Sequence, residues 1–174
     1  MKKGIILAGV LLPMAMAYSS VAQSTDDRLY RDQEFSVDLF GGGTLNEHDV
    51  NHLSGERIRH HGRAGLGAGG NFFFLRYLGI SGEVYSENPD YHFIDEASGN
   101  LVLRIPIGET GLAPYGFGGG GHQFDPFSDT FGQAGAGLEF RFTRNFGIFA
   151  DGRWVWTEHY ADHGMGRAGF RLAF

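Results

Sequence analysis

Eight stretches of this chain alternate, residue by residue, between apolar side chains and small or polar ones, and no comparable stretch after residue 22 repeats with a helical period. A period of two sends successive side chains to opposite faces of an extended ribbon, so the pattern specifies β-strands. "EFSVDLFGG" sets Phe35, Val37 and Leu39 against Ser36, Asp38 and Phe40, and "AGLGAGGNFFFL" sets Leu66, Ala68, Phe72 and Phe74 against Gly67, Gly69 and Asn71. "YLGISGEVY" opposes Leu78, Ile80 and Val84 to Gly79, Ser81 and Glu83; "NLVLRIPIG" opposes Leu101, Leu103, Ile105 and Ile107 to Asn100, Val102, Arg104 and Pro106. In "APYGFGGGGHQF" the apolar set is Tyr115 and Phe117, against Gly116 and Gly118. "FGQAGAGLEFRF" places Ala134, Ala136, Leu138, Phe140 and Phe142 against Gln133, Gly135, Glu139 and Arg141. "NFGIFADGRWVW" places Phe146, Ile148, Ala150, Trp154 and Trp156 against Gly147, Asp151 and Arg153. The closing "GMGRAGFRLAF" carries Gly166, Ala168, Phe170, Leu172 and Phe174 opposite Arg167 and Arg171.

The runs are close to the ~9–11 residues a tilted strand needs to cross a bilayer. Their connections alternate in length. "RY", "GETG" and "TRN" are short, whereas residues 44–62, 86–98, 122–129 and 157–163 are longer. Short turns on one side and long loops on the other, with an even number of strands, is the plan of an outer-membrane barrel. Closure matters because hydrocarbon offers no hydrogen bonds, so each backbone group needs a partner in the sheet. The expected fold is all-β: an eight-stranded antiparallel transmembrane β-barrel, an up-and-down meander, with both chain ends on the short-turn side.

The charges decide which face looks inward. In a soluble, lipocalin-like barrel the apolar faces would fill the middle and the others would carry scattered surface charge, lysine included. Here the only lysines are Lys2 and Lys3, and the non-apolar faces are mostly Gly, Ser, Asn and Gln. Their few charges are Asp38, Glu83, Glu139 and Asp151 against Arg104, Arg141, Arg153, Arg167 and Arg171. An eight-stranded barrel is wide enough only for its own side chains. Small residues with nearly balanced charges fit such a lumen, where arginine's planar fork meets carboxylates two at a time. Unpaired charges there would be costly, so these nine residues are expected to form a lumen charge network that plugs the barrel. A passive pore is disfavoured for the same reason. Aromatic residues sort to strand ends, as in belts at membrane boundaries: Phe72, Phe74, Tyr77, Phe140, Phe142, Phe146 and Phe174 at the turn side, and Tyr85, Trp154, Trp156 and Tyr160 at the loop side.

The N-terminus reads as an address. "MKKGIILAGVLLPMAMA" has a basic start, a short apolar run and small residues, the pattern of a secretory signal peptide, with cleavage expected after Ala22. The chain thus divides into a signal peptide at 1–22, a periplasmic lead-in at 23–33 and the barrel at 34–174. Without the two lysines of the signal, 12 of the 14 basic residues face 20 acidic ones, and the net charge moves from −6 to −8. An acidic exported protein is a poor partner for nucleic acid. No cysteine is present, which excludes disulfides and thiolate metal sites.

The signal peptide, the eight strands, "PYGFGGGG" and the terminal "FRLAF" resemble the small outer-membrane β-barrel proteins of Gram-negative bacteria, the OmpA/OmpX-like group, over roughly residues 34–174. The resemblance implies a monomer in the cell outer membrane, surrounded by lipid and lipopolysaccharide, with no cofactor. It also implies that the terminal aromatic, here Phe174, belongs to the signal read by the barrel-assembly machinery.

All eight histidines fall in or beside the long loops: His48, His52, His60, His61, His92, His122, His159 and His163. His48 and His52 stand near Asp49 and Glu56, and His159 and His163 near Glu158 and Asp162. Imidazole with carboxylate suits zinc, nickel or copper, so His48, His52, His159 and His163 are candidate ligands for a divalent metal. The same side chains gain charge below about pH 6.5 and would sense acidity. A lipid A-modifying enzyme would need a serine, a histidine and an acid gathered at the outer rim. Ser54, Ser86, Ser98 and Ser128 are the loop serines available, and sequence spacing alone leaves a triad assembled across loops open. Three readings follow: a structural or surface-interaction barrel, a loop-based metal or ligand binder, and a lipid A-modifying enzyme. The first is preferred.

Overall fold

The computed structural model of the chain describes residues 28–45, 48–50, 57–59, 64–87, 94–125, 128–159 and 162–174, with the backbone alone for residues 45, 48–50 and 57–59. The signal segment, residues 23–27 of the lead-in, Ser54, Tyr160, His52, His60, His61 and His92 lie outside the described residues. The elements are β1 (Glu34–Leu45), β2 (His48–Val50), β3 (Arg57–Arg59), β4 (Ala64–Leu75), β5 (Leu78–Ser86), β6 (Glu96–Arg104), β7 (Leu112–Gln123), β8 (Asp129–Arg141), β9 (Phe146–Thr157) and β10 (His163–Ala173).

Eight of these close on themselves in the order β1-β10-β9-β8-β7-β6-β5-β4, each pair antiparallel. The fold is therefore the all-β, eight-stranded meander barrel that the alternation specifies. Closure is made by β1 and β10, whose register runs from Ser36 opposite Ala173 to Leu45 opposite Gly164. The first long connection, read in the sequence as one loop, holds a ribbon of its own in which β2 pairs with β3. β6 stops at Arg104, short of the strand end expected near Gly108. Pro106 has no N–H to give, and the ladder is replaced by Ile105 N–H to Pro114 O and Ile107 N–H to Leu112 O, both 2.8 Å. The turn into β7 ends on Gly111, whose φ of +76° favours glycine and whose missing Cβ leaves room for Arg141 O.

The side chains sort as the charges demand. Leu103, Ile148 and Phe170 are 57%, 39% and 58% exposed, while Asp38, Arg104, Glu139, Arg141 and Arg171 are buried. The aliphatic faces of the strands thus point outward and the charged faces inward.

Two expectations about aromatics are corrected. Tyr115 and Phe117 do not belong to the outward set; both are buried in the interior, and Gly116 and Gly118 face out. The interior has room for the rings because the neighbouring strand β8 carries glycine there. A Cβ on Gly135 would sit 2.5 Å from Phe117 Cζ, and one on Gly137 2.8 Å from Tyr115 Cζ. Tyr85 likewise is no belt residue. It lies in the interior cluster with Phe40, Phe73, Val102, Phe149 and Met165, and its hydroxyl donates to Gly42 O at 3.1 Å.

Candidate functional site

The barrel interior holds two connected layers of charge. The layer nearer the short turns is built on β1, β6, β8 and β10. Glu34 accepts from Arg141 through both oxygens, at 2.6 Å each, and from Arg104 at 2.9 Å. Arg141 Nε donates to Glu139 at 2.7 Å, and Arg171 reaches the other Glu139 oxygen at 2.5 Å. Arg171 also clamps Asp38 with two bonds of 2.7 Å, a geometry set by the register that puts Asp38 opposite Arg171. Asn71 adds a 3.0 Å bond to Asp38.

The second layer, nearer the long loops, centres on Glu83, which accepts from both Arg153 and Arg167. Arg167 Nε also meets Asp151 at 2.7 and 2.9 Å, and Tyr115 O–H donates to the same carboxylate at 2.6 Å. Aromatic rings join the layers: the Arg167 guanidinium lies 4.7 Å from the Phe40 ring centre and 5.4 Å from Phe149, and Arg171 lies 5.0 Å from Phe149. Planar guanidinium on a ring is favourable in a dry interior.

The structure brings all nine sequence-predicted lumen charges into these layers and adds one. Glu34, 1% exposed, is the fifth acid of the two layers, which then hold as many carboxylates as arginines. Its signal was parity: two before Ser36 and four before Asp38, it shares their face. Beside Glu83 and Arg153 a cavity of about 10 Å³ is lined also by Phe40, Tyr85, Glu96, Ser98 and Met165. That is room for about one water, where Arg153 Nε and Nη2 lack a protein partner.

Residues 28–33 close the turn end. Tyr30 is buried, its hydroxyl donates to Gly111 O at 2.7 Å, and its ring lies 4.5 Å from the Arg141 guanidinium and 4.6 Å from that of Arg104. Burial pushes the phenol's pKa up from the ordinary tyrosine value. Arg141 further donates to Leu29 O at 2.7 Å.

At the loop end two loops clasp. His159 N–H donates to Asp129 Oδ2 at 3.1 Å, its ring Nδ1 lies 3.0 Å from Asp129 Oδ1, and Thr130 O–H donates to Glu158 at 2.7 Å. The hydrogen bond to Asp129 raises the pKa of His159 above the ordinary histidine value. One ligand atom each from Asp129, Glu158 and His159 lie within 4.8 Å of one another. Of the four histidines proposed as ligands, His159 alone enters this group among the described residues. His163 opens β10 opposite Val155, His48 lies in β2 with only its backbone described, and His52 is outside the described residues. Sequence spacing pointed to the fourth loop; it gave no sign of Asp129, which arrives from the neighbouring strand.

Ser128 meets a histidine: His122 Nε2 lies 3.0 Å from its Oγ. No described carboxylate bonds the other ring nitrogen. Ser98 instead faces inward and donates to Glu83 at 3.1 Å.

A closed eight-stranded antiparallel barrel with a polar, ion-paired interior and an apolar exterior defines the class of small outer-membrane barrel folds. Solved members of that class are similar throughout. The N-terminal β-barrel domain of Pseudomonas aeruginosa OprF matches with a TM-score of 0.62 at 18% identity, over 83% of this chain and 99% of that one. OprG from the same organism gives 0.58 at 11% identity over 85% and 99%. Ail, the attachment invasion locus protein of Yersinia pestis, gives 0.55 at 20% identity over 82% and 99%. No family model matches the chain. No curated protein matches it either.

Proposed function

We propose that the chain is an integral outer-membrane barrel with a plugged polar lumen, acting as a structural and surface-interaction protein through its four long loops. In this reading residues 1–22 direct export and are removed, and the short turns and residues 28–33 face the periplasm. The loops stand among lipopolysaccharide, and the barrel is a monomer without enzymatic activity. Phe174 serves the assembly machinery. One observation carries the proposal: five acids and five arginines pair inside the sheet while residues such as Leu39, Leu66 and Ile105, 59%, 74% and 67% exposed, cover its outside. In water that exterior would be a continuous sticky surface; in hydrocarbon it is the solvated face.

The test is refolding. Diluted from urea into lipid vesicles, the chain is expected to insert and to migrate differently in a gel before and after heating. In a planar bilayer it is expected to pass no large steady current. Failure to insert removes the membrane reading; a large steady conductance removes the plug.

A second reading has a specific observation behind it, the approach of Asp129, Glu158 and His159. One imidazole and two carboxylates are a donor set for zinc. Zinc titrated into the refolded barrel in a calorimeter is expected to release heat that Asp129→Asn abolishes. No heat from the unaltered chain ends this reading.

A further inference from the structure

The turn end of the wall carries a cleft that the ion-pair layers do not use. It has a volume of about 460 Å³ and is lined by Arg76, Tyr77, Arg104, Ile105, Pro106 and Gly108. Pro106 fits its rim: past Arg104 the chain bonds to β7 through Ile105 and Ile107, and Pro106 has no N–H to offer the β4–β5 turn on its other side.

The polar lining is cationic. Arg76 is exposed, its guanidinium lies 5.9 Å from the Tyr77 ring centre, and it pairs with no described carboxylate. Its backbone is held rigidly, with N–H donating to Asp32 Oδ1 at 2.6 Å and C=O accepting from Arg104 Nε at 3.0 Å. Arg104 itself is fully buried. Its Nη1 is taken by Glu34, and its Nη2 has no partner. The guanidinium is flat, and Nε and Nη2 share an edge; since Nε points at the Arg76 carbonyl, that edge faces the turn that walls the cleft. A buried donor left unmet is costly, so a site that can supply an acceptor is a site with affinity.

The rest of the lining is apolar and outward, with Ile105 67% and Tyr77 49% exposed. Charge favours the turn end too: among the described residues Arg28, Arg31, Arg76 and Arg144 stand there against Asp32 and Glu109. An anion is drawn to the turn end.

We propose that this cleft holds the phosphate of an anionic phospholipid from the leaflet at the turn end, with Arg76 as its main contact and its acyl chains along Ile105 and Tyr77. The inference rests on the membrane-spanning reading above. Arginine's fork suits phosphate oxygens, and the greasy half of the lining would be wasted on a free ion.

The full chain, refolded in phosphatidylcholine vesicles with a minority of phosphatidylglycerol, is to be examined by native mass spectrometry for the lipid it retains. Phosphatidylglycerol is expected to be kept in preference to phosphatidylcholine. Arg76→Gln should lower that retention about tenfold, the loss of a hydrogen bond to a charged group. Arg76→Lys, which keeps the charge and loses the fork, should fall between. Inorganic phosphate at the same concentration should not displace the lipid. Equal retention of the two lipids by an inserted barrel, or unchanged retention in Arg76→Gln, overturns the site and leaves the membrane reading standing. Displacement by inorganic phosphate overturns the lipid assignment. A chain that does not enter the vesicles overturns both.

Discussion

Glu139 meets three guanidiniums: Arg141 at 2.7 Å, Arg171 at 2.5 Å and Arg104 at 3.6 Å, with no exposure to solvent. Glu139→Gln keeps the shape and removes the charge, leaving Arg104, Arg141 and Arg171 to share Glu34 and Asp38. Stripping one partner from a buried ion pair costs about 3–5 kcal/mol, because the remaining charge stays buried without compensation. The urea midpoint of the refolded barrel is expected to drop accordingly, whereas Glu109→Gln at an exposed turn should leave it unchanged. The identity of these residues was readable in the sequence, since alternation and the absence of lysine beyond residue 3 marked the face. Their partners were not. Which acid meets which arginine is fixed by strand register and barrel closure, and period two is silent on both. Glu34 escaped notice because it opens its strand, where the apolar count had not begun.

At the scale of strands and loops, β7 and β8 show where alternation loses its meaning. Aromatic residues alternate with glycine in "YGFGGGG", so size and hydropathy name no inner face. The decision is made across the ladder, where Gly135 and Gly137 leave space for rings. Gly135→Ala would bring a Cβ to 2.5 Å from Phe117 Cζ and 2.6 Å from Gly152 O, and should destabilise the barrel by about 1–3 kcal/mol. Gly118→Ala faces outward, with its nearest neighbour Gln133 O at 3.7 Å, and should stabilise it by about 0.5 kcal/mol. Urea titration of the two variants side by side checks the contrast.

The loop clasp at Asp129 and His159 responds to pH with a definite sign. Because the folded state raises the histidine pKa, the contribution of the clasp is complete below the ordinary histidine value near 6.5 and is lost as pH rises through the raised one. A nuclear magnetic resonance titration should place the His159 midpoint above 6.5, and Asp129→Asn should bring it back. Sequence spacing identified the histidine but not this partner 30 positions away, whose approach depends on the pairing of β8 with β9.

For the molecule as a whole, class, strand number and inside-out polarity were all legible, because each is a repeated local property. What escaped were features made by meeting surfaces: the β2–β3 ribbon, the Tyr30 base and the cleft at Pro106. Closure is such a meeting. Phe174 N–H donates to Phe35 O at 2.8 Å, and the two rings stack with centres 6.3 Å apart, so the chain's last residue lies on its first barrel strand. Phe174→Ala removes an exposed ring and no buried one. The refolded variant is expected to keep nearly the urea midpoint of the unaltered chain while far less folded barrel accumulates in outer membranes of cells. Equal accumulation would remove the assembly role. The rings seated at Gly135 and Gly137 bear on assembly differently. Sliding β7 along β8 by two residues leaves every greasy side chain outward, so solvent preference raises no objection to the error. Yet such a slip in one direction would bring Tyr115 to Glu139 and in the other Phe117 to Gln133, so that either way one of the two rings loses its notch. The inlay is therefore a key cut for one alignment, telling the growing sheet where to stop when hydrophobicity cannot.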